Sequence, residues 1–233
     1  MNSPHIVSSF DSDLEAIQAH VVRMAGLVED AVRKSVRALS DRDVALAKQV
    51  REGDRAIDEL EELIKVETAQ VIALRAPAAI DLRVVLATLA ISNNLERCGD
   101  YAKNIAKRTP TLVDLPQIRE TQGALNRMEA MVREMLSDAT DSYIHRDVER
   151  ATQVIARDVD ADEMYNNLFR SLLTHMMEDP RNIAAGMHLH FIAKNIERMG
   201  DLATAIAEQT IYLVTGELPD EDRPKSDVTA TES

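Results

Sequence analysis

The sequence predicts an all-α protein built as two tandem three-helix bundles related by internal duplication. Three observations carry this reading. First, seven glycines, seven prolines and 3% aromatic residues in a chain of 233 are unfavourable for a sheet protein with many turns. Ala, Leu, Glu, Arg and Met recur instead at helical spacing. Second, the periodic runs are long and their polar connections short, which makes neighbouring helices antiparallel. Third, Asn94-Leu95-Glu96-Arg97-Cys98-Gly99-Asp100 returns as Asn195-Ile196-Glu197-Arg198-Met199-Gly200-Asp201.

The first helix is expected from about Asp13 to Leu39, with Leu14, Ile17, Val21, Met24 and Val28 at three- and four-residue spacing. Ser40-Asp41-Arg42-Asp43 is a short connection, and the second helix then runs to about Arg75. Pro77 marks a turn, because proline fits poorly inside a helix and biases its predecessor away from helical angles. The third helix is expected from about Ala78 to Arg108, and Thr109 to Pro116, with two prolines, is the linker between the halves. A fourth helix spans about Ile118 to Ile144. The fifth and sixth, about Asp147 to Met177 and Arg181 to Val214, form a second hairpin around Pro180. The first bundle then covers residues 10–108 and the second 117–215. Residues 216–233 are acidic, rich in Pro, Ser and Thr, and expected to be disordered.

A second repeat lies upstream of the first in each half. Arg42-Asp43-Val44, Ala47, Gln49, Val50, Asp54 and Asp58 recur as Arg146-Asp147-Val148, Ala151, Gln153, Val154, Asp158 and Asp162. Pro77 is midway between Asp58 and Glu96, and also midway between Asp54 and Asp100. Reversal of the chain there brings these four carboxylates level, two from each helix. The same construction around Pro180 gathers Asp158, Asp162, Glu197 and Asp201. Within each pair, residues four apart stack on one helix face.

One carboxylate on each helix follows a seam residue by one position: Asp58 follows Ile57, Glu96 follows Leu95, Asp162 follows Ala161 and Glu197 follows Ile196. That places it about 100° from the seam, at a shallow, water-accessible bundle edge. Carboxylates about 4 Å apart repel by on the order of 1 to 4 kcal/mol per pair at surface-like dielectric. Arg97 and Arg198, adjacent in the motif, offer one form of compensation, through ordinary surface ion pairs. A metal ion or cluster offers another, since bridging carboxylates suit one, and two symmetric sets of four favour metal. Gly99 and Gly200 imply close helix approach, with packing favoured over a ligand as the reason. Cys98 aligns with Met199 and reads as a small apolar packing residue. His188 and His190 have no counterparts in the first half and read as structural.

Net charge of −13 disfavours nucleic acid or an anionic membrane surface as main partner. The longest apolar stretch, around Val84 to Ile91, is too short for direct membrane insertion. With no basic-then-apolar signal segment and a single cysteine, a cytoplasmic protein is expected. No catalytic constellation is present, so the chain is not read as an enzyme. One alternative, a carboxylate-bridged metalloenzyme, needs Glu-Xaa-Xaa-His motifs, and no histidine here has a glutamate three residues before it. A metal-free helical adaptor is the other.

The duplicated Glu-Arg-Xaa-Gly-Asp segments, the following Ala-Xaa-Xaa-Ile-Ala, and the run formed by Pro77, Asp81, Leu82 and Arg83 resemble the PhoU family of phosphate-uptake regulators. The resemblance covers about residues 10 to 215. It implies two three-helix bundles whose paired acidic motifs bind multinuclear iron or zinc on the surface. The metal ligands it implies are Asp54, Asp58, Glu96 and Asp100 in one set, and Asp158, Asp162, Glu197 and Asp201 in the other. It further implies a negative regulator of the phosphate regulon that forms a homodimer. The implied partners are a phosphate-sensing histidine kinase and the ATPase of a phosphate ABC transporter. The second half departs from the family motif, because Arg181 to Gly186 lacks the Asp-Leu-Arg found at Asp81 to Arg83.

Overall fold

The computed structural model describes residues 4–219, which form helices and no strands. In chain order these are α1 (Pro4–Ser40), α2 (Val44–Arg75), α3 (Ile80–Val113), α4 (Arg119–His145), α5 (Val148–Ala156), α6 (Asp158–Glu178) and α7 (Ile183–Thr215), with one 3-10 turn at Pro180–Asn182 before α7. Most of the expected disordered tail, 220–233, lies outside the described residues.

The apolar seams of α2 and α3 become the core except at Leu74, a member of the α2 seam by its spacing, which is 78% exposed near the helix end. Ile57, Leu60, Ile64 and Val71 of α2 and Ile91, Leu95, Cys98, Ala102 and Ile105 of α3 are all buried. Helices α1, α2 and α3 pack on one another, and α4 to α7 form the second bundle. The two bundles meet where α3 lies along α7 and α1 along α4, and one hydrophobic cluster runs through both. Met128 and Met135 of α4 sit inside it, so the methionine-rich seam of that helix is core.

The repeated Arg-Asp-Val segments turn out to be helix connections. Arg42 and Arg146 adopt positive φ (55° and 54°), ending α1 and α4. Asp43 and Asp147 then cap the next helix, accepting from the backbone N–H of Leu46 (2.9 Å) and Arg150 (3.0 Å). This part of the duplication is therefore architectural, and it fixes the register of Asp54 and Asp158 three turns further on.

Three boundaries differ from the sequence reading. Helix α3 does not stop at Arg108 but continues through Pro110 to Val113, so the linker shortens to 114–118. Its terminal carbonyls are satisfied by the Arg42 guanidinium, which donates to Leu112 (3.3 Å), Val113 and Leu115 (3.5 Å). Leu112 is also buried, and together these hold one more turn beyond the proline. The predicted fifth helix is divided at Arg157, whose N–H is shared between the carbonyls of Gln153 (3.3 Å) and Val154 (3.1 Å). The Arg157 guanidinium reaches α4, donating to Asp138 (2.9 Å) and Glu134 (3.1 Å). Finally, α1 starts at Pro4, nine residues before the expected Asp13.

Arg83, from the Asp-Leu-Arg run at the start of α3, lies 5.7 Å from the centre of the Tyr212 ring and against Gly216. Gly216 ends α7 at φ 87°, with its N–H on the Tyr212 carbonyl. A cation at a helix C-terminus is favourable, and Arg83 thereby ties the first half to the end of the second.

Candidate metal centres

Helices α2 and α3 reverse at residues 76–79, where Ala76 and Ala79 have positive φ. The first quartet gathers between them. Asp54 is 4% exposed and lies against Gly99: a Cβ there would stand 3.0 Å from Ile57 Cδ1 and 3.6 Å from Asp54 Oδ1. The glycine thus admits α2 close to α3, which is the packing role expected of it. Lys103 of α3 donates to Asp54 and, at 3.3 Å, to Asp100. Asp58 is exposed, yet its carboxyl is held above the usual range by partial desolvation and then by the charge of Asp54, with Asp100 and Glu61 adding and Lys103 opposing. Glu96 is raised by burial and then by Asp100, Glu61, Asp58 and Asp54. Asp54 and Asp100 therefore both act on Asp58 and on Glu96.

The second quartet assembles between α6 and α7. Glu197 is 8% exposed; its Oε1 accepts from Lys194 Nζ at 2.6 Å, and its Oε2 is buried without a hydrogen-bond partner. Asp158 accepts from Thr204 Oγ1 at 3.3 Å. The Asp201 carboxyl is pushed up to about 6, first by desolvation and then by Glu197, Asp158 and Asp162, with Lys194 opposing. Gly200 is looser than Gly99, since a Cβ there would make ordinary contacts of 3.6 Å to Val132 and 3.7 Å to Ala161.

Two sequence expectations change. The carboxylates are not uniformly shallow, because each site has one buried member, Asp54 from the first helix of its hairpin and Glu197 from the second of the other. Compensation comes from lysine rather than arginine: among the described residues Arg97 and Arg198 form no ion pair, while Lys103 and Lys194 do. The sequence reading missed both lysines because neither is duplicated; Thr204 and Asn93 stand at the equivalent positions. It also missed Glu61, buried at 8%, paired with Lys65 at 2.7 Å and accepting from Asn93 at 3.4 Å. Its spacing of seven from Asp54 and three from Asp58 on one helix face was a usable signal.

Among the described residues no three His, Cys, Asp or Glu side chains stand gathered as a metal-holding group. The lysines draw Asp54 and Glu197 to themselves instead. The donor chemistry nevertheless fits a divalent cation: the donors are all carboxylate oxygens, several resist ionisation together, and Glu197 Oε2 is an unsatisfied buried acceptor. Asp58 in the first quartet and Asp201 in the second are exposed.

Other chemistry-bearing residues pack. Cys98 is fully buried, and burial pushes its thiol up, away from reactivity. His190 lies 4.8 Å from Phe169, 5.7 Å from Phe191 and 6.0 Å from Tyr165, ring centre to ring centre. His188 Nδ1 meets Arg108 at 3.3 Å. Burial holds both imidazoles below their usual range.

A family model described as the PhoU domain matches residues 21–109 and again 125–210, following the duplication. The phosphate-specific transport system accessory protein PhoU homolog of Caulobacter vibrioides is 45% identical over 224 residues, covering 96% of this chain and 97% of that protein. The crystal structure of PhoU from Pseudomonas aeruginosa superposes with a TM-score of 0.86 at 36% identity, over 89% of this chain and all of that one. The phosphate transport system regulatory protein PhoU from Streptococcus pneumoniae gives 0.83 at 27% identity, over 91% and 99% of the two chains. With both repeats matched and the likeness extending over nearly the full length, the chain belongs to the PhoU family.

Proposed function

We propose that this protein restrains phosphate uptake and the phosphate-starvation response when phosphate is plentiful, by binding other proteins rather than by catalysis. The observation that carries the reading is near-full-length kinship with relatives named as accessory and regulatory proteins of phosphate transport. None of the described helices is long and apolar enough to cross a membrane, which agrees with a cytoplasmic accessory protein that meets its transporter from one side. The proposed partners are the phosphate ABC transporter's ATPase and a phosphate-sensing histidine kinase, with the protein acting as a homodimer.

In this proposal the two carboxylate sites bind iron or zinc as multinuclear centres. Asp54, Asp58, Glu96 and Asp100 would hold one centre, and Asp158, Asp162, Glu197 and Asp201 the other. A bound cation would supply the positive charge that offsets four mutually repelling carboxylates. These residues would hold it at the bundle edge, with Gly99 keeping the helices of the first site close. The second reading is a metal-free adaptor, favoured by Lys103 and Lys194 already supplying part of that charge.

Alkaline phosphatase reporter activity in a deletion strain grown in high phosphate tests the regulatory role. Derepression is expected, together with recovery of the ATPase or the kinase in a pull-down from wild-type cells. Normal repression without the protein, or recovery of neither partner, refutes it. Elemental analysis of untagged protein separates the metal reading from the metal-free one.

A further inference from the structure

Because α3 lies along α7, the two copies of Glu-Arg-Xaa-Gly-Asp border one cleft of about 390 Å³, lined by Arg97, Tyr101, Arg198, Asp201 and Leu202. Arg97 and Arg198 are repeat equivalents, as are Tyr101 and Leu202, so the lining is pseudo-symmetric. The Arg198 guanidinium lies 5.9 Å from the centre of the Tyr101 ring, which steadies it without using its N–H donors in the ring plane. Both arginines are exposed, and neither forms an ion pair among the described residues, although this chain carries a net charge of −13. Two unpaired guanidinium groups converging from facing helices are unusual in so acidic a molecule. Neither Arg97 nor Arg198 pairs with a carboxylate of the two quartets.

We propose that this central cleft is an oxyanion site, in which Arg97 and Arg198 together bind a compact, doubly charged tetrahedral anion. Guanidinium forks match such oxygens in pairs, and two of them can hold one anion from opposite sides. The ligand must be compact. Asp201 lines the cleft, so the successive carboxylates of an acidic peptide would meet like charge there, whereas a single small anion fits between the arginines. The oxyanion capacity rests on the cleft alone; inorganic phosphate as its natural occupant rests on the regulatory reading above.

The test is equilibrium dialysis of the full chain, stripped over chelating resin so that no metal-bound anion contributes, against phosphate and sulfate at constant ionic strength. One saturable site per chain is expected. Arg97→Gln and Arg198→Gln should each weaken it by about tenfold, and the pair should abolish it, with helicity and Tm unchanged. Arg198→Lys, which keeps the charge and loses the fork, should weaken it less. Absence of saturable binding, equal binding by the double variant, or binding of an acidic peptide without phosphate or sulfate would each overturn the proposal. A strain carrying the double variant that still represses the reporter would leave the regulatory reading standing while dialysis decides the cleft.

Discussion

Lys103 and Thr204 occupy the same position of the repeat and face the same partner: Lys103 donates to Asp54, and Thr204 Oγ1 to Asp158. Asn93 and Lys194 are also equivalent in position but not in partner: Asn93 donates to Glu61, whose counterpart is Tyr165, and Lys194 donates to Glu197. Apart from Lys65 on Glu61, each site therefore carries one lysine, and that lysine sits on the most buried carboxylate of its quartet. Burial of a carboxylate is costly without a paired charge, so the position of the lysine and the depth of the acid go together.

Lys103→Met should accordingly destabilise the metal-free protein by about 1–3 kcal/mol, because it leaves the buried Asp54 carboxylate without its charged donor. Thr204→Val should cost less than about 1 kcal/mol, since the half-exposed Asp158 can turn to water instead. Urea denaturation of the two variants checks the contrast. Equal losses would show that the two donors are interchangeable.

The two motif glycines should part company in the same way. Gly200→Ala has room for its Cβ and should gain up to about 1 kcal/mol from helix propensity. Gly99→Ala places a Cβ 3.0 Å and 3.3 Å from two carbons of Ile57, which is 1% exposed and hemmed in by the core. It should lose about 1 kcal/mol or more through overpacking. Thermal melts of both single variants decide this, and a stabilised Gly99→Ala protein would mean that Ile57 yields.

How much of this was legible beforehand follows from what a repeat reveals. Asp54, Asp58, Glu96 and Asp100 were readable because the duplication selects them from a crowd of surface acids, and the prolines gave the hairpin register that sets them level. Lys103, Lys194 and Glu61 break the repeat, so the same filter hid them. The end of α3 was misplaced because Pro110 signals a stop locally, whereas the guanidinium that lets the helix continue comes from Arg42, 68 positions earlier in the chain. The break at Arg157 has no local signal at all; its bonds to Glu134 and Asp138 depend on where α4 packs.

The pH dependence of the metal-free protein should show Asp201 directly. Its folded carboxyl titrates near 6 against an ordinary value of 3.8, so protonation favours the folded state. That contribution is fully present below pH ~4 and is lost as pH rises through about 6. His188 and His190 run the other way: held below 6.5, they contribute stability above that value which is lost as pH falls. The informative quantity is the difference between Asp201→Asn and wild type, which should grow in favour of the variant as pH rises from about 4 to about 6 and level off above that. Since Asp201 is exposed and water screens it, the gain should stay below about 1 kcal/mol. A difference that does not change with pH would place Asp201 outside the field of Glu197, Asp158 and Asp162.

The last prediction concerns metal and rests on the unequal acid content of the two sites. The first has a fifth carboxylate, Glu61, which acts on both Asp58 and Glu96; its counterpart in the second site is Tyr165. Affinity for a hard or borderline cation rises with the number of charged oxygen ligands, so the first site should bind more tightly. Carboxylates coordinate in their deprotonated form, so protons compete with metal at Asp201 and the second site's affinity should weaken as pH falls below about 6. Asp100→Asn should empty the first site alone and Asp201→Asn the second alone, while both proteins keep their helicity, because neither side chain is core. Zinc or iron titrations followed by elemental analysis measure both stoichiometry and order of filling. Glu61→Gln should narrow the difference between the sites; a protein that binds no metal at either site, before or after these changes, would leave the lysine-compensated adaptor as the surviving reading.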